Sequence, residues 1–331
     1  MTSPGVVTTF FYSRYRIRRR RDANGRREVW AGARLRRGAL FAQVREHAGT
    51  RGRSNLVCNH VRMMEGSPRY DHPPVRSTTL TVFVEPIENF DLAIILPLQQ
   101  RWSERFPALA QSYPRRRPPE LPSVDALGSS GWPLPAVEQV DRSLSRTISY
   151  QHDQISLEWT FDLEAVDSAY PGFAVLSAEL SLNFAYFVEV VQRLGDKPLK
   201  VQGCRCMYEN RFDGVEGEDW IAGYISDWQN LSATKRMGGA EYVGFRLKEA
   251  SENSALGTLR TVRSELDAGP EVGTTRFDID VVSVALPESA FGKDSPADAA
   301  RLLLEDAHEL LIDTFAHSAS DAMRAKWGVR Q

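Results

Sequence analysis

The chain has 331 residues, 42% hydrophobic, 25% charged and 10% aromatic, with a formal net charge of −2 at pH 7. That composition excludes a wholly disordered or fibrous protein and supplies apolar side chains for one large domain or two small ones. No run approaches the roughly 18 apolar residues that span a bilayer, no secretory h-region is found, and three cysteines argue against a disulfide framework. A cytoplasmic protein with no membrane contact is expected.

The small net charge conceals a seam at Met63-Met64. Residues 1–63 hold 15 Arg, no Lys and three acids (Asp22, Glu28, Glu46), about +12 in all, whereas the remainder carries 26 basic and 40 acidic residues, about −14. Arg14, Arg16, Arg18, Arg19, Arg20 and Arg21 cluster, and Arg26, Arg27, Arg34, Arg36 and Arg37 continue the run. Three readings of this leader compete. It is a nucleic-acid-binding arm, its cations on phosphate and Phe10, Phe11, Tyr12, Tyr15 and Trp30 stacked on bases. It is a solvated, disordered tail. Or it is not part of the natural protein, being high-GC sequence read upstream of a true start. No heptad, alternation or cap persists beyond one turn, which favours the last two.

From Tyr70-Asp71-His72-Pro73-Pro74 the texture changes. Val75–Glu85 reads as a strand, with Val75, Leu80, Val82 and Val84 apolar. Leu92–Tyr113 reads as a helix on Leu98, Trp102, Phe106 and Leu109, kinked or split at Pro107. Residues 114–135 are Pro-, Arg-, Gly- and Ser-rich and read as a loop. Leu144–Tyr150 and Gln154–Phe161 form a hairpin, with Ile155, Leu157 and Trp159 facing a core and Ser156, Glu158 and Thr160 facing water. A helix from Tyr170-Pro171-Gly172 to about Leu194 carries the stripe Phe173, Leu176, Leu180, Phe184, Phe187, Val191.

Leu199–Phe212 is the next strand. Asp219–Trp228 reads as a short helix with Trp220, Tyr224 and Trp228 on one face. Strands follow at about Glu241–Glu249, Gly257–Leu266 and Thr274–Leu286, the last with Phe277, Ile279 and Val281 inward and Asp278 and Asp280 outward. Ser295-Pro296-Ala297-Asp298 opens the final helix. The order predicts an α+β fold of mainly antiparallel sheets with helices packed on one side, built from pseudo-duplicated β-α-β-β-α halves. The expected organisation is a disordered leader 1–63, a first half 64–215 and a second half 216–331, the halves packed as one unit.

The body over residues 70–328 resembles a sporadically distributed family of bacterial proteins of about 250 residues, the length of one large domain. The resemblance rests on Tyr70 with Pro73-Pro74, Val84-Glu85-Pro86, Tyr113-Pro114, Trp159 in the hairpin, Tyr170-Pro171, Gln202 through Tyr208 and Asn210, Ala307-His308, Phe315 and Trp327-Gly328. It implies a start near Met63 or Met64. It brings no established activity, and the scattered distribution of such proteins points to mobile elements or phage defence.

Motifs that carry chemistry are sparse. Cys204 and Cys206 share a strand face and read as core thiols, since zinc requires four ligands. His308 and His317 lie on opposite helix faces and cannot chelate together. Glu305, Asp306, Glu309 and Asp313 read as a solvated acidic face. Asp278 and Asp280 would supply two carboxylates of a metal-dependent nuclease or hydrolase if a third acid joined them. No dinucleotide, Walker, nucleophile-elbow or zincin motif is present. No cofactor, no metal and no catalytic residue is therefore assigned. The expected function is a non-enzymatic binding or interaction module, with Trp220, Tyr224 and Trp228 as contact surface and a protein partner or self-association as its use. The alternatives are the carboxylate hydrolase and nucleic-acid binding through Arg14–Arg37.

Overall fold

A computed structural model of the chain describes residues 16–21, 27–32, 69–70, 74–88, 90–122, 135–161, 170–194, 198–213, 245–268, 274–286, 295–318 and 329–330. Met1–Arg62 and Met63–Gln331 separate into two compact units. In the first, β1 (Arg16–Arg21) pairs antiparallel with β2 (Arg27–Gly32), Arg21 opposite Arg27. Arginine fills five of the six positions of β1, so its sequence shows no period of two.

The second unit begins with β3 (Arg69–Tyr70), which pairs with β13 (Val329–Arg330) and so joins its two ends. Between them run β4 (Val75–Val84), α1 (Leu92–Trp102), β5 (Ala108–Ser112), β6 (Ala136–Val140), β7 (Arg146–Gln151), β8 (Gln154–Thr160) and α2 (Phe173–Leu194). They are followed by β9 (Val201–Asp213), β10 (Phe245–Asn253), β11 (Thr258–Ala268), β12 (Thr274–Ala285) and α3 (Pro296–Ser318). Nine strands form one antiparallel sheet in the order β10-β11-β12-β9-β4-β8-β7-β6-β5.

That order contains a repeat. β4 leads to a meander, β5 to β8, whose last strand returns beside β4, and α2 follows. β9 leads to a meander, β10 to β12, whose last strand returns beside β9, and α3 follows. The two leading strands pair antiparallel at the centre, Leu80 opposite Cys206 and Val82 opposite Cys204. The repeat turns over between α2 and β9.

Three helices pack on one face of this sheet, making an α+β fold. Alternation sets which strand residues meet them. Leu80 and Val82, Ile155 and Leu157, Cys204 and Cys206, and Phe277, Ile279 and Val281 are all buried on the helix side. They pack against Leu176, Leu180, Phe184 and Phe187 of α2 and Leu303, Leu304, Ala307 and Leu311 of α3. α2 is 22 residues and is long and apolar enough to cross a membrane, which corrects the reading that no segment is. In this fold it lies on the sheet instead.

The sequence-predicted helix to Tyr113 ends at Trp102. Asp91 Oδ1 caps its start by accepting from the Ala93 N–H at 2.8 Å, and the Ser103 hydroxyl donates to the Gln100 carbonyl at its end. Pro107 has no N–H and disfavours helix at Phe106, so the chain re-emerges as β5 rather than as a second helical piece. β5 and β6 are short strands of mixed composition and carry no clear period of two.

Each long helix is pinned by a buried acid. On α3, Asp306 accepts from Thr258 Oγ1 (2.7 Å), Ser283 Oγ (2.6 Å) and Asn253 Nδ2 (2.7 Å), with Arg260 at 3.5 Å. Asp306 is thus sealed in the interior, not on the expected solvated face. On α2, Glu179 lies 2.7 Å from Arg105 and 3.5 Å from Arg146. Arg146 on β7 and Arg260 on β11 occupy equivalent strands of the two halves.

Between the helices lies an aromatic cluster. Tyr170 and Tyr208 share a 2.6 Å hydroxyl bond, and Phe173 stacks on His308 with ring centroids 3.7 Å apart. Burial pushes both phenols up and holds His308 down at about 4. Cys204 and Cys206 are free and buried, their thiols pushed well up by the same desolvation.

Two outcomes are expected. Asp306→Ala leaves Arg260 and three polar partners without their acceptor, and urea titration should record a loss of about 3 kcal/mol at unchanged m. A cost within 0.5 kcal/mol would show the network to be dispensable. Because the folded His308 binds its proton only near pH 4 whereas the unfolded ring binds it near 6.5, the folded state is fully favoured above pH 6.5. Stability should fall as the pH drops from there towards 4, by about 3 kcal/mol at most, and His308→Phe should flatten that slope.

Candidate interaction surface

The sheet face opposite the helices is polar and is crossed by a strap, Tyr113–Pro122. Pro114, Pro118, Pro119 and Pro122 restrict its backbone. Arg115 and Gln151 of β7 exchange two bonds: the Arg115 N–H donates to Gln151 Oε1 at 2.8 Å and Gln151 Nε2 donates to the Arg115 carbonyl at 3.0 Å. Arg115 Nη2 also donates to Glu138 of β6 at 2.9 Å. Arg117, itself buried, donates to Gln202 of β9 and lies 3.7 Å from Asp153. Glu120 accepts from Arg263 of β11 and pairs with Lys248 of β10 at 3.0 Å. Burial works against the Glu120 charge, but Arg263 and Lys248 outweigh it and hold its carboxyl below the usual range.

The strap therefore ties both halves together across the sheet. Leu121 settles over Gly203, where a Cβ would lie 3.1 Å from Leu121 Cδ2 and 2.8 Å from the Ser283 carbonyl oxygen. Only a glycine fits there. On this polar face Ser156 is buried, bonded to Thr81 Oγ1 at 3.0 Å, not solvated as its alternation suggests.

Asp278 and Asp280 share this polar face, as their spacing requires, yet both belong to ion pairs. Arg205 grips Asp280 with Nε at 2.6 Å and Nη2 at 2.7 Å, and Arg263 stands 3.6 Å from it. Arg276 stands 3.5 Å from buried Asp278 and 3.5 Å from Asp267. A carboxylate held bidentate by a guanidinium has few lone pairs left for a cation or a water. Among the described residues no three His, Cys, Asp or Glu side chains converge as metal ligands. His308 is in the aromatic cluster, and His317 Nδ1 lies 2.7 Å from the Asp313 carbonyl.

The helix-side exteriors of the two halves differ in kind. The second half is charged there: Arg301 pairs with Glu305 along α3, Glu309 and Asp313 are solvent-facing, and β10 adds Glu249 beside Leu247. In the first half, α1 runs without charge from Leu92 to Gln100 and exposes Leu92 (66%) and Leu96 (49%). The one charge in α2 before Glu189 is the buried Glu179, so Val175, Ala178, Leu182 and Ala185 make an exposed uncharged stripe, with Leu182 75% exposed. β5 adds Leu109 at 48%, and Tyr113 beyond it is 79% exposed. Among the described residues, Leu247 is the single comparable exposed side chain in the second half.

The sequence-predicted contact stripe Trp220, Tyr224, Trp228 lies outside the described residues. The uncharged exterior was missed because each leucine sits in a helix or strand whose other side is the real core. The available signal was the absence of charge: an ordinary surface helix shows a polar stripe opposite its apolar one, and α1 and α2 do not.

No known protein family matches this chain, and no curated protein does. Among solved structures, one match is the di-domain ARO/CYC StfQ from the steffimycin biosynthetic pathway, at 11% identity over 76% of this chain and 99% of that chain. Its TM-score of 0.19 is too low to carry an argument about fold or activity.

Proposed function

We propose that the protein is a protein-interaction module without catalytic chemistry, and that its binding surface is the apolar exterior of α1 from Leu92 to Leu96, β5 and the Val175–Leu182 stripe of α2. One observation carries the reading. Two halves of related topology lie in one sheet, and among the described residues the large exposed apolar side chains, Leu247 excepted, collect on the first, bordered by Arg101, Glu104 and Arg105. Exposed apolar surface gathered on one part of a folded domain marks a contact site more often than chance. The acids that a hydrolase would use support the same reading, since Asp278 and Asp280 are engaged by Arg276, Arg205 and Arg263.

The test is site-specific photo-cross-linking in the producing cell. A photoreactive side chain at Val175 or Leu182 should give protein adducts, with a copy of this chain or with another protein. The same group at Glu305 or Glu309 should give none. Leu182→Glu should leave stability within about 0.5 kcal/mol, since the side chain is solvent-facing, yet abolish the Val175 adducts. Equal adducts from both halves, or binding of the purified protein to phosphatidylcholine vesicles that Leu182→Glu removes, would overturn the reading.

A further inference from the structure

We infer that β5 is a self-association strand, and that two copies of this chain join their sheets edge to edge by antiparallel pairing of Ala108–Ser112 with its counterpart. This rests on the reading that the first-half exterior contacts protein, and it specifies the partner and the geometry.

A nine-stranded open sheet has two edges, and an exposed edge offers unpaired N–H and C=O groups to any extended chain. Here the edges are treated differently. β10 carries Arg246, Lys248, Glu249 and Glu252, the charges by which natural edges discourage pairing. β5 is Ala-Leu-Ala-Gln-Ser, with no charge and no internal proline. Four of its five residues are exposed and the fifth half-buried, and its inner side is fully paired with β6 from Ala108 opposite Val140 to Ser112 opposite Ala136.

The strand suits a copy of itself. Antiparallel pairing centred on Ala110 places Ala108 opposite the second copy's Ser112 and Leu109 opposite its Gln111. No charges oppose, and small residues meet across the polar face. The two Leu109 side chains become diagonal neighbours on the helix face, within reach of one another. Pro107 and Pro114 bracket the strand, and neither has an N–H to donate, so the ladder is confined to the residues between them and centred on Ala110. An isologous contact also requires that the surface tolerate its own charge pattern. β5 does, because it has none, and the exposed charges that precede it, Arg101, Glu104 and Arg105, are of both signs, with Arg105 already paired to Glu179.

The decisive variant is Ala110→Lys. Ala110 pairs with Glu138 inside the same sheet, so a lysine there faces a carboxylate within its own chain and the fold is kept. Across the proposed twofold it faces itself. Sedimentation equilibrium of the full chain should show a dimer for the native sequence and at least tenfold weaker association for A110K. Ala110→Thr, which adds bulk without charge, should keep the dimer. A native chain that stays monomeric up to about 100 μM, weaker than the affinity range of functional dimers, would overturn the proposal. So would a dimer that A110K leaves intact. If photo-cross-links from Leu182 persist in either case, strand pairing fails while the interaction reading stands. If those cross-links are absent as well, both fall.

Discussion

The pairing of β4 with β9 sets everything else in place. Both strands are buried, and their contact brings Leu80 and Val82 beside Cys206 and Cys204. Because each is the leading strand of its half, joining them antiparallel turns two small sheets into one of nine strands. It also fixes both long helices on a common face, where α2 and α3 pack together over a shared apolar layer. A half sheet of four or five strands with one helix would leave much of that layer wet. The continuity of the central ladder is what allows a single core of sufficient size.

On that frame the charges are distributed by side. On the helix face two buried acids anchor the long helices, Glu179 with Arg146 and Asp306 with Arg260, on equivalent strands of the two halves. Each fixes the position of a long helix on its meander, a task that apolar packing alone performs with less directionality. The opposite face is a lattice of guanidinium–carboxylate pairs laced by the strap from Tyr113 to Pro122. There the arginines neutralise acids that would otherwise repel across neighbouring strands, Asp278 and Glu209 being directly opposed. A structural role and a hydrolytic role would compete for the same lone pairs, and Asp280 gives both of its oxygens to Arg205.

The two halves diverge at their exteriors. Duplication of a topology need not preserve a surface, since only inward-facing residues are constrained by the shared core. α3 and β10 carry an ordinary solvated exterior. α1, α2 and β5 instead expose Leu92, Leu96, Val175, Leu182 and Leu109. That is why the proposed contact surface lies there rather than on the polar face, whose side chains are already committed to each other.

Local pattern determined much of this protein. Period two in Phe277-Asp278-Ile279-Asp280-Val281, period three to four along Phe173–Val191 and the capping sequence Ser295-Pro296-Ala297-Asp298 were legible because each depends on near neighbours in the chain. The α+β class and the repeat followed from their order. Only the tertiary structure decided that Ala108–Ser112 is an edge strand, that Asp306 is sealed inside while Glu305 and Glu309 are wet, and that the Pro- and Arg-rich stretch is a strap. Those outcomes are set by partners far away in sequence: Asp306 is 48 residues from Thr258, and Glu120 is 143 from Arg263. A carboxylate's fate depends on which donors the fold brings to it, and no periodicity within one segment encodes that.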